Sequence, residues 1–235
     1  SVLTSEQLRK EFGQATFFTA TDGNHGRGVA WAANRLGQKA VVHMPKGTTQ
    51  TRLQNIAKEG AQVDIQELNY DDCVRLAAKE ADETPRGVIV QDTAWDGYEE
   101  IPAWIMQGYG TMAMEAGEQL KAQGCERPTH IFVQAGVGSL AGAVVGYFSN
   151  LYADNLPTFV VVEAEAAACL YKGAAAGESG AAPFGALAAM MTMDEYKDLR
   201  NDIGLDENSK VLLFSTEGDT DPDRYKNIVW KGLDK

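Results

Sequence analysis

The chain has 235 residues, of which 44% are hydrophobic and 23% charged, which is enough apolar content for a packed core and too much for wholesale disorder. Its formal net charge of -12 opposes phosphate backbones and anionic lipid surfaces, and so disfavours nucleic acid as a partner. Cys73, Cys125 and Cys169 lie far apart in no metal-ligand spacing, no stretch approaches the roughly 20 apolar residues of a membrane span, and the opening Ser-Val-Leu-Thr-Ser-Glu lacks a secretory pattern. A reducing, cytoplasmic location with no membrane contact and no metal site is expected.

Short β-branched runs alternate along the chain with segments of helical spacing. Strands are predicted at 15–20, 39–44, 62–68, 87–92, 129–134, 158–163 and 210–215. Several are apolar almost throughout, as in Val88-Ile89-Val90, Ile131-Phe132-Val133 and Val211-Leu212-Leu213-Phe214, the pattern of parallel strands covered on both faces. Between them Leu53, Ile56 and Ala57 recur at helical spacing within 49–58, and Val74, Ala77, Ala78 and Ala81 do so within 71–81. The longest predicted helix is 101–123, with Pro102 tolerated in its first turn and Gly124 suited to its end. Repeated βα units predict an α/β fold of two doubly wound parallel-sheet sub-domains. The first is expected over residues 14–115, and the second over 116–235 together with 1–13.

In such sheets ligands bind beyond the carboxyl ends of strands, and three turns stand there. The first is Thr21-Asp22-Gly23-Asn24-His25-Gly26-Arg27-Gly28, which opens the helical run Val29-Ala30-Trp31-Ala32-Ala33. Its amides suit an anion, although the glycines alone could shape a turn, with Asp22 or Asn24 capping the helix. The second, Ala135-Gly136-Val137-Gly138-Ser139-Leu140-Ala141-Gly142, leads into a helix predicted at 143–151 and offers successive amides as a phosphate nest. Its glycine spacing departs from Gly-x-Gly-x-x-Gly, and no Gly-Lys-Ser/Thr follows, so a monophosphate cofactor is preferred to a dinucleotide or a nucleoside triphosphate. The third, Phe214-Ser215-Thr216-Glu217-Gly218-Asp219-Thr220-Asp221, puts hydroxyls at a strand end, where they could meet a heteroaromatic nitrogen or merely cap a helix. All three are expected to converge on one crevice.

Together these turns resemble the loops of fold type II pyridoxal-phosphate enzymes, similar to the tryptophan synthase β chain. The strings Ala-Thr-Asp-Gly-Asn-His-Gly-Arg-Gly-Val-Ala-Trp, Gln-Asp-Thr-Ala-Trp-Asp-Gly-Tyr, Ile-Pro-Ala-Trp-Ile-Met-Gln-Gly-Tyr and Ser-Thr-Glu-Gly-Asp-Thr-Asp resemble the diaminopropionate ammonia-lyase family specifically. That resemblance implies pyridoxal 5'-phosphate as cofactor and the conversion of 2,3-diaminopropionate to pyruvate and ammonia by α,β-elimination in a cytoplasmic homodimer. It also implies that Asn24 meets the cofactor's ring hydroxyl and that Gly136, Val137, Gly138 and Ser139 cradle its phosphate. Ser215, or failing it Thr216, would meet the pyridine nitrogen. Asp22 and Asp92 become the acid/base pair, facing one bound amino acid although 70 positions apart. Read without the family, Asp92 is a strand-end aspartate of the kind that caps a turn.

Two departures from the family pattern stand out. Its cofactor lysine normally precedes the Gly-Asn-His loop, whereas the residues before Asp22 hold only Lys10, in the charged helical segment Gln7-Leu8-Arg9-Lys10-Glu11. No covalent cofactor is therefore expected on this chain. Around Lys172-Gly173-Ala174-Ala175-Ala176-Gly177-Glu178-Ser179-Gly180 the family carries a longer stretch, so Gly177 and Glu178 are expected to be spaced wider than bonded neighbours. The alternatives are another fold type II β-eliminase resembling the serine and threonine dehydratases, and an inactive remnant that binds a small ligand.

Overall fold

The computed structural model of the chain describes residue 4, residues 6–163, residues 178–218 and residue 222. Its contacts divide it into two compact units, Ser1–Ile101 and Pro102–Lys235.

The first unit holds four parallel strands, β1 (Thr16–Ala20), β2 (Lys39–Met44), β3 (Gln62–Ile65) and β4 (Gly87–Ile89), in the order β3-β2-β1-β4. Around them lie α1 (Glu6–Phe12), α2 (Asn24–Leu36), α3 (Gln50–Ala57) and α4 (Tyr70–Glu83). Side chains that alternate along a strand point to opposite faces, and here each face finds a helix. Val42 and Met44 pack with Ala30 of α2 and Ile56 of α3. On the other face Phe18, Val41 and Ile89 meet Ala77 and Ala81, the small residues that let α4 lie close. Gly87 marks that closeness, since a Cβ there would stand 2.2 Å from the Ala81 carbonyl oxygen. α3 and α4 start where Thr49 and Asn69 accept from the amides of Arg52 and Asp72, the usual role of such residues before a helix. The one buried histidine of β2, His43, is satisfied at both ring nitrogens by Asp64 (2.8 Å) and Glu80 (3.0 Å).

In the second unit β5 (His130–Gln134) lies between β6 (Thr158–Val162) and β7 (Val211–Leu213), all parallel. β5 is buried along its whole length, as its apolar run predicts. Ile131 and Val133 face Ala141, Val144 and Phe148 of α6 (Ser139–Leu151) and Ala113 of α5 (Glu100–Ala122). Phe132 turns the other way, onto Val162, Leu205 and Ala182 of α7 (Glu178–Thr192). A short 3-10 turn (Asp194–Tyr196) and α8 (Lys197–Asp202) follow.

All seven predicted strands are present, mostly trimmed by one to three residues, and both sheets are parallel. The helix predicted at 143–151 begins earlier, at Ser139, because the glycine turn itself enters the helix. The contact division falls after Ile101, and Ala113 of α5 is buried in the core of the second unit. α1 packs with the first unit, where Arg9 donates to the Arg35 carbonyl at 3.3 Å. The expected wide spacing of Gly177 and Glu178 falls outside the described residues, as does Cys169.

Candidate active site

In the first unit the carboxyl ends of β1 and β4 form one polar corner. After β1 the chain must turn sharply into α2, and Thr21 organises the turn: its hydroxyl accepts from the amides of Gly23 (3.0 Å) and Gly26 (3.1 Å). Only glycine fits at 26, where a Cβ would stand 2.2 Å from Thr21 Cγ2 and 2.9 Å from Val42 Cγ1. With Thr21 serving the helix start, Asp22 is not required as its cap, and it stands exposed on the turn beside exposed Asn24. Arg52 of α3 donates to the Asp22 carbonyl at 3.1 Å and ties the turn from outside.

Asp92 leaves the end of β4 with a side chain only 13% exposed. Its Oδ1 accepts from Gln91 Nε2 at 3.0 Å, and its Oδ2 lies 3.8 Å from His25 Nδ1. His25 Nε2 stands 2.8 Å from the Val90 carbonyl, which can only accept, so Nε2 carries a proton and Nδ1 turns to the carboxylate. Tyr70, the first residue of α4, completes the corner, and its hydroxyl accepts from the same Gln91 amide at 2.9 Å. Burial, then the negative charge of Asp92 and after it that of Asp22, pushes the Tyr70 phenol up to about 12. It is a neutral donor throughout the physiological range. One phenol thus senses both aspartates that the sequence singled out, and the fold has brought their segments to a shared corner. Tyr98 closes the strand end, accepting from the Gln91 backbone N–H at 2.7 Å and donating towards the Ile89 and Gln91 carbonyls, both 3.1 Å away. Burial raises its phenol as well.

The second unit carries the nest. Gly136, Val137 and Gly138 are exposed between β5 and α6, while Ser139, the first residue of α6, is buried. The residue preceding the helix is Gly138, at φ 95°, which has no side chain of its own to cap the first-turn amides. Among the described residues nothing lies within 4 Å of where a Cβ would project at Gly136 or Gly138, which leaves the backbone approachable there. Behind the nest Gln134 is 5% exposed, and its amide donates to Thr216 Oγ1 at 2.8 Å, leaving the Thr216 hydroxyl proton to point elsewhere. Gln134 Oε1 is buried without a hydrogen-bond partner among the described residues. Ser215 and Thr216 are exposed at the end of β7. Exposed glycines before a helix and hydroxyls at a strand end are the kinds of donor that a phosphate and a ring nitrogen accept from.

The sequence reading missed Tyr70, Gln91, Tyr98 and Gln134. Two of them left a signal, since Val88-Ile89-Val90 and Ile131-Phe132-Val133 each end in glutamine, and a polar residue closing a buried strand must find partners. Lys10 is exposed on α1. Among the described residues no group of His, Cys, Asp and Glu could hold a metal, and no helix is long and apolar enough to cross a membrane.

A family model described as pyridoxal-phosphate dependent enzyme matches residues 1–208. The diaminopropionate ammonia-lyase of Salmonella typhimurium is 42% identical over 299 residues, covering 99% of this chain and 74% of that protein. That of Escherichia coli K12 is 37% identical over 295 residues, covering 98% and 74%. The Salmonella match spans 299 residues against the 235 present here, a difference of 64, so that relative carries internal residues with no counterpart in this chain. Among solved structures, the apo form of the Escherichia coli enzyme superposes with a TM-score of 0.87 at 42% identity, over 97% of this chain and 71% of that one. Its complex with an aminoacrylate-PLP azomethine intermediate gives 0.86 at 35% identity, over 98% and 78%. The parallel α/β fold, the family model and this degree of identity agree: the chain belongs to the diaminopropionate ammonia-lyases, a family of fold type II pyridoxal-phosphate-dependent enzymes.

Proposed function

We propose that the chain acts as a carbon-nitrogen lyase on 2,3-diaminopropionate, with pyridoxal 5'-phosphate as cofactor. The observation that supports this reading is that Asp22 and Asp92 follow β1 and β4, which are paired neighbours in one sheet, in a chain 42% identical to a diaminopropionate ammonia-lyase. A substrate with two cationic amines suits a corner holding two carboxylates better than a hydroxy amino acid does. The cofactor, when bound, supplies the electron sink that lets the α-proton leave.

Everything else falls to side chains. Asp22 is the base for the α-proton of one substrate enantiomer, and being exposed on its turn it can reach a ligand lying over the strand ends. Asp92, as a carboxylate, holds the cationic β-amine, which leaves as neutral ammonia when its bond to Cβ breaks, and His25 Nδ1 stands 3.8 Å from that carboxylate. Tyr70 donates a hydrogen bond without competing as a base. Departure of ammonia leaves 2-aminoacrylate, whose hydrolysis yields pyruvate and a second ammonia. Asn24 is assigned to the cofactor's ring hydroxyl, Gly136, Val137, Gly138 and Ser139 to its phosphate, and Ser215 or Thr216 to its pyridine nitrogen. A homodimer in the cytoplasm is the setting we infer: the acidic composition and dispersed cysteines favour the location, and exposed apolar side chains such as Trp104 and Phe184 favour a second copy.

The test is the full chain supplied with pyridoxal phosphate and given D- or L-2,3-diaminopropionate, with pyruvate and ammonia both counted. Two ammonia per pyruvate is expected, and Asp22→Asn should cost about 100-fold or more on one enantiomer. Serine turned over faster than diaminopropionate would make the chain a dehydratase instead.

A further inference from the structure

We propose that Gln91 is a positioning residue that fixes the Asp92 carboxylate and the Tyr70 hydroxyl for the elimination, an inference that rests on the lyase reading above. Gln91 is fully buried at the end of an otherwise apolar strand. Its Oε1 accepts from the Thr19 hydroxyl and the Ala20 amide, both at 2.9 Å. Its Nε2 donates to Tyr70 Oη at 2.9 Å and to Asp92 Oδ1 at 3.0 Å. An amide side chain has two acceptor positions and two N–H donors, and all four are used here.

The orientation of the amide is dictated rather than chosen. The Ala20 amide can only donate, so the oxygen must face β1, which turns the nitrogen towards Asp92 and Tyr70. Gln91 is therefore a cross-brace: one end grips β1 two residues before Asp22, and the other grips the second carboxylate and the phenol. Its own backbone amide is held by Tyr98 at 2.7 Å, so the brace cannot slide along the strand. By occupying Oδ1 from below, Gln91 sets the rotamer of Asp92 and turns Oδ2 to the His25 side. The titratable groups facing this corner are Tyr70 on α4, His25 on α2, Tyr98 in the loop behind and Asp22, whose charge reaches the Tyr70 phenol.

The experiment uses the full chain and two variants, Gln91→Glu and Gln91→Met. The first keeps the acceptor towards β1 but sets an oxygen 3.0 Å from Asp92 Oδ1, where two carboxyls must share a proton. The second keeps the length and removes the donor. The first readout is the 13C carboxyl titration of Asp92 in the cofactor-free chain, with the resonance assigned by Asp92→Asn. The second is kcat and KM for diaminopropionate against pH in the pyridoxal-phosphate-loaded chain. Both variants should raise the pH at which Asp92 titrates, shift the acidic limb of the kcat profile by the same amount, and lower kcat about 10- to 100-fold while KM stays within about threefold. Should Gln91→Glu fail to accumulate, Gln91→Met is read alone by the same criteria. An Asp92 titration unchanged by substitution, in a wild-type chain that turns over diaminopropionate, overturns the role of Gln91. A wild-type chain that releases no pyruvate overturns the lyase reading instead, while the titration still decides whether Gln91 governs Asp92.

Discussion

Replacing Tyr70 by phenylalanine removes one oxygen from the corner and should change stability in two separable ways. Near neutral pH the loss leaves the Gln91 amide, fully buried, without an acceptor at 2.9 Å, a deficit of about 1–3 kcal/mol. At alkaline pH the difference should shrink. Burial, Asp92 and Asp22 hold the Tyr70 phenol up to about 12 in the folded chain, against 10.0 when it is unperturbed. Between those values the unfolded chain releases a proton that the folded chain keeps, so this contribution is intact below pH 10 and lost as pH rises towards 12. At about 1.4 kcal/mol per pH unit the full interval is about 2.7 kcal/mol, and solvent screening of the partly exposed phenol reduces it to about 1–2 kcal/mol. Urea unfolding of wild type and Tyr70→Phe, followed by circular dichroism from pH 7 to 12, measures the gap directly. Lysines and the other tyrosines titrate in both proteins and cancel in the comparison. The gap should narrow only above pH 10, and a gap of constant size through pH 12 would mean that the phenol is not held neutral by its surroundings.

Two glycine substitutions test the turns that carry the site. Gly26→Ala should destabilise by about 1–3 kcal/mol, because its Cβ would collide with Thr21 and Val42, whereas Gly28→Ala, with open space beside it in the same helix, should be neutral or stabilising by up to about 1 kcal/mol. Equal urea midpoints for the two would show that the helix does not press against β2 as described. Gly138→Val forces a branched side chain into φ 95° at the edge of the nest, and should weaken pyridoxal phosphate binding by about tenfold, read from the cofactor's absorbance on titration. Unchanged affinity would move the phosphate site elsewhere.

The strands were legible because apolar β-branched runs bounded by turn residues have few other uses, and a strand such as 130–134, apolar through Ile131, Phe132 and Val133, implies cover on both faces. The motif-bearing turns were legible for a related reason: glycines and hydroxyls crowded at strand ends mark a chain shaped for a ligand. Helix limits were less so, since where α6 begins depends on Gly138 adopting a left-handed conformation, which sequence permits without requiring. The chain sequence by itself determined the βα alternation, the parallel sheets, the glycine turn that enters α6 and, through resemblance, the choice of Asp22 and Asp92 as the carboxylates of interest. Only the tertiary structure decided what surrounds them. Gln91 and Tyr98 stand in the same sequence string as Asp92, but Tyr70 lies 22 positions away, and nothing in the string says what each side chain contacts; they meet because β1 and β4 are neighbours in the sheet and α4 packs across them. Hydrogen bonds reach about 3 Å in space whatever the separation along the chain, so a network spanning three elements appears only once those elements are packed.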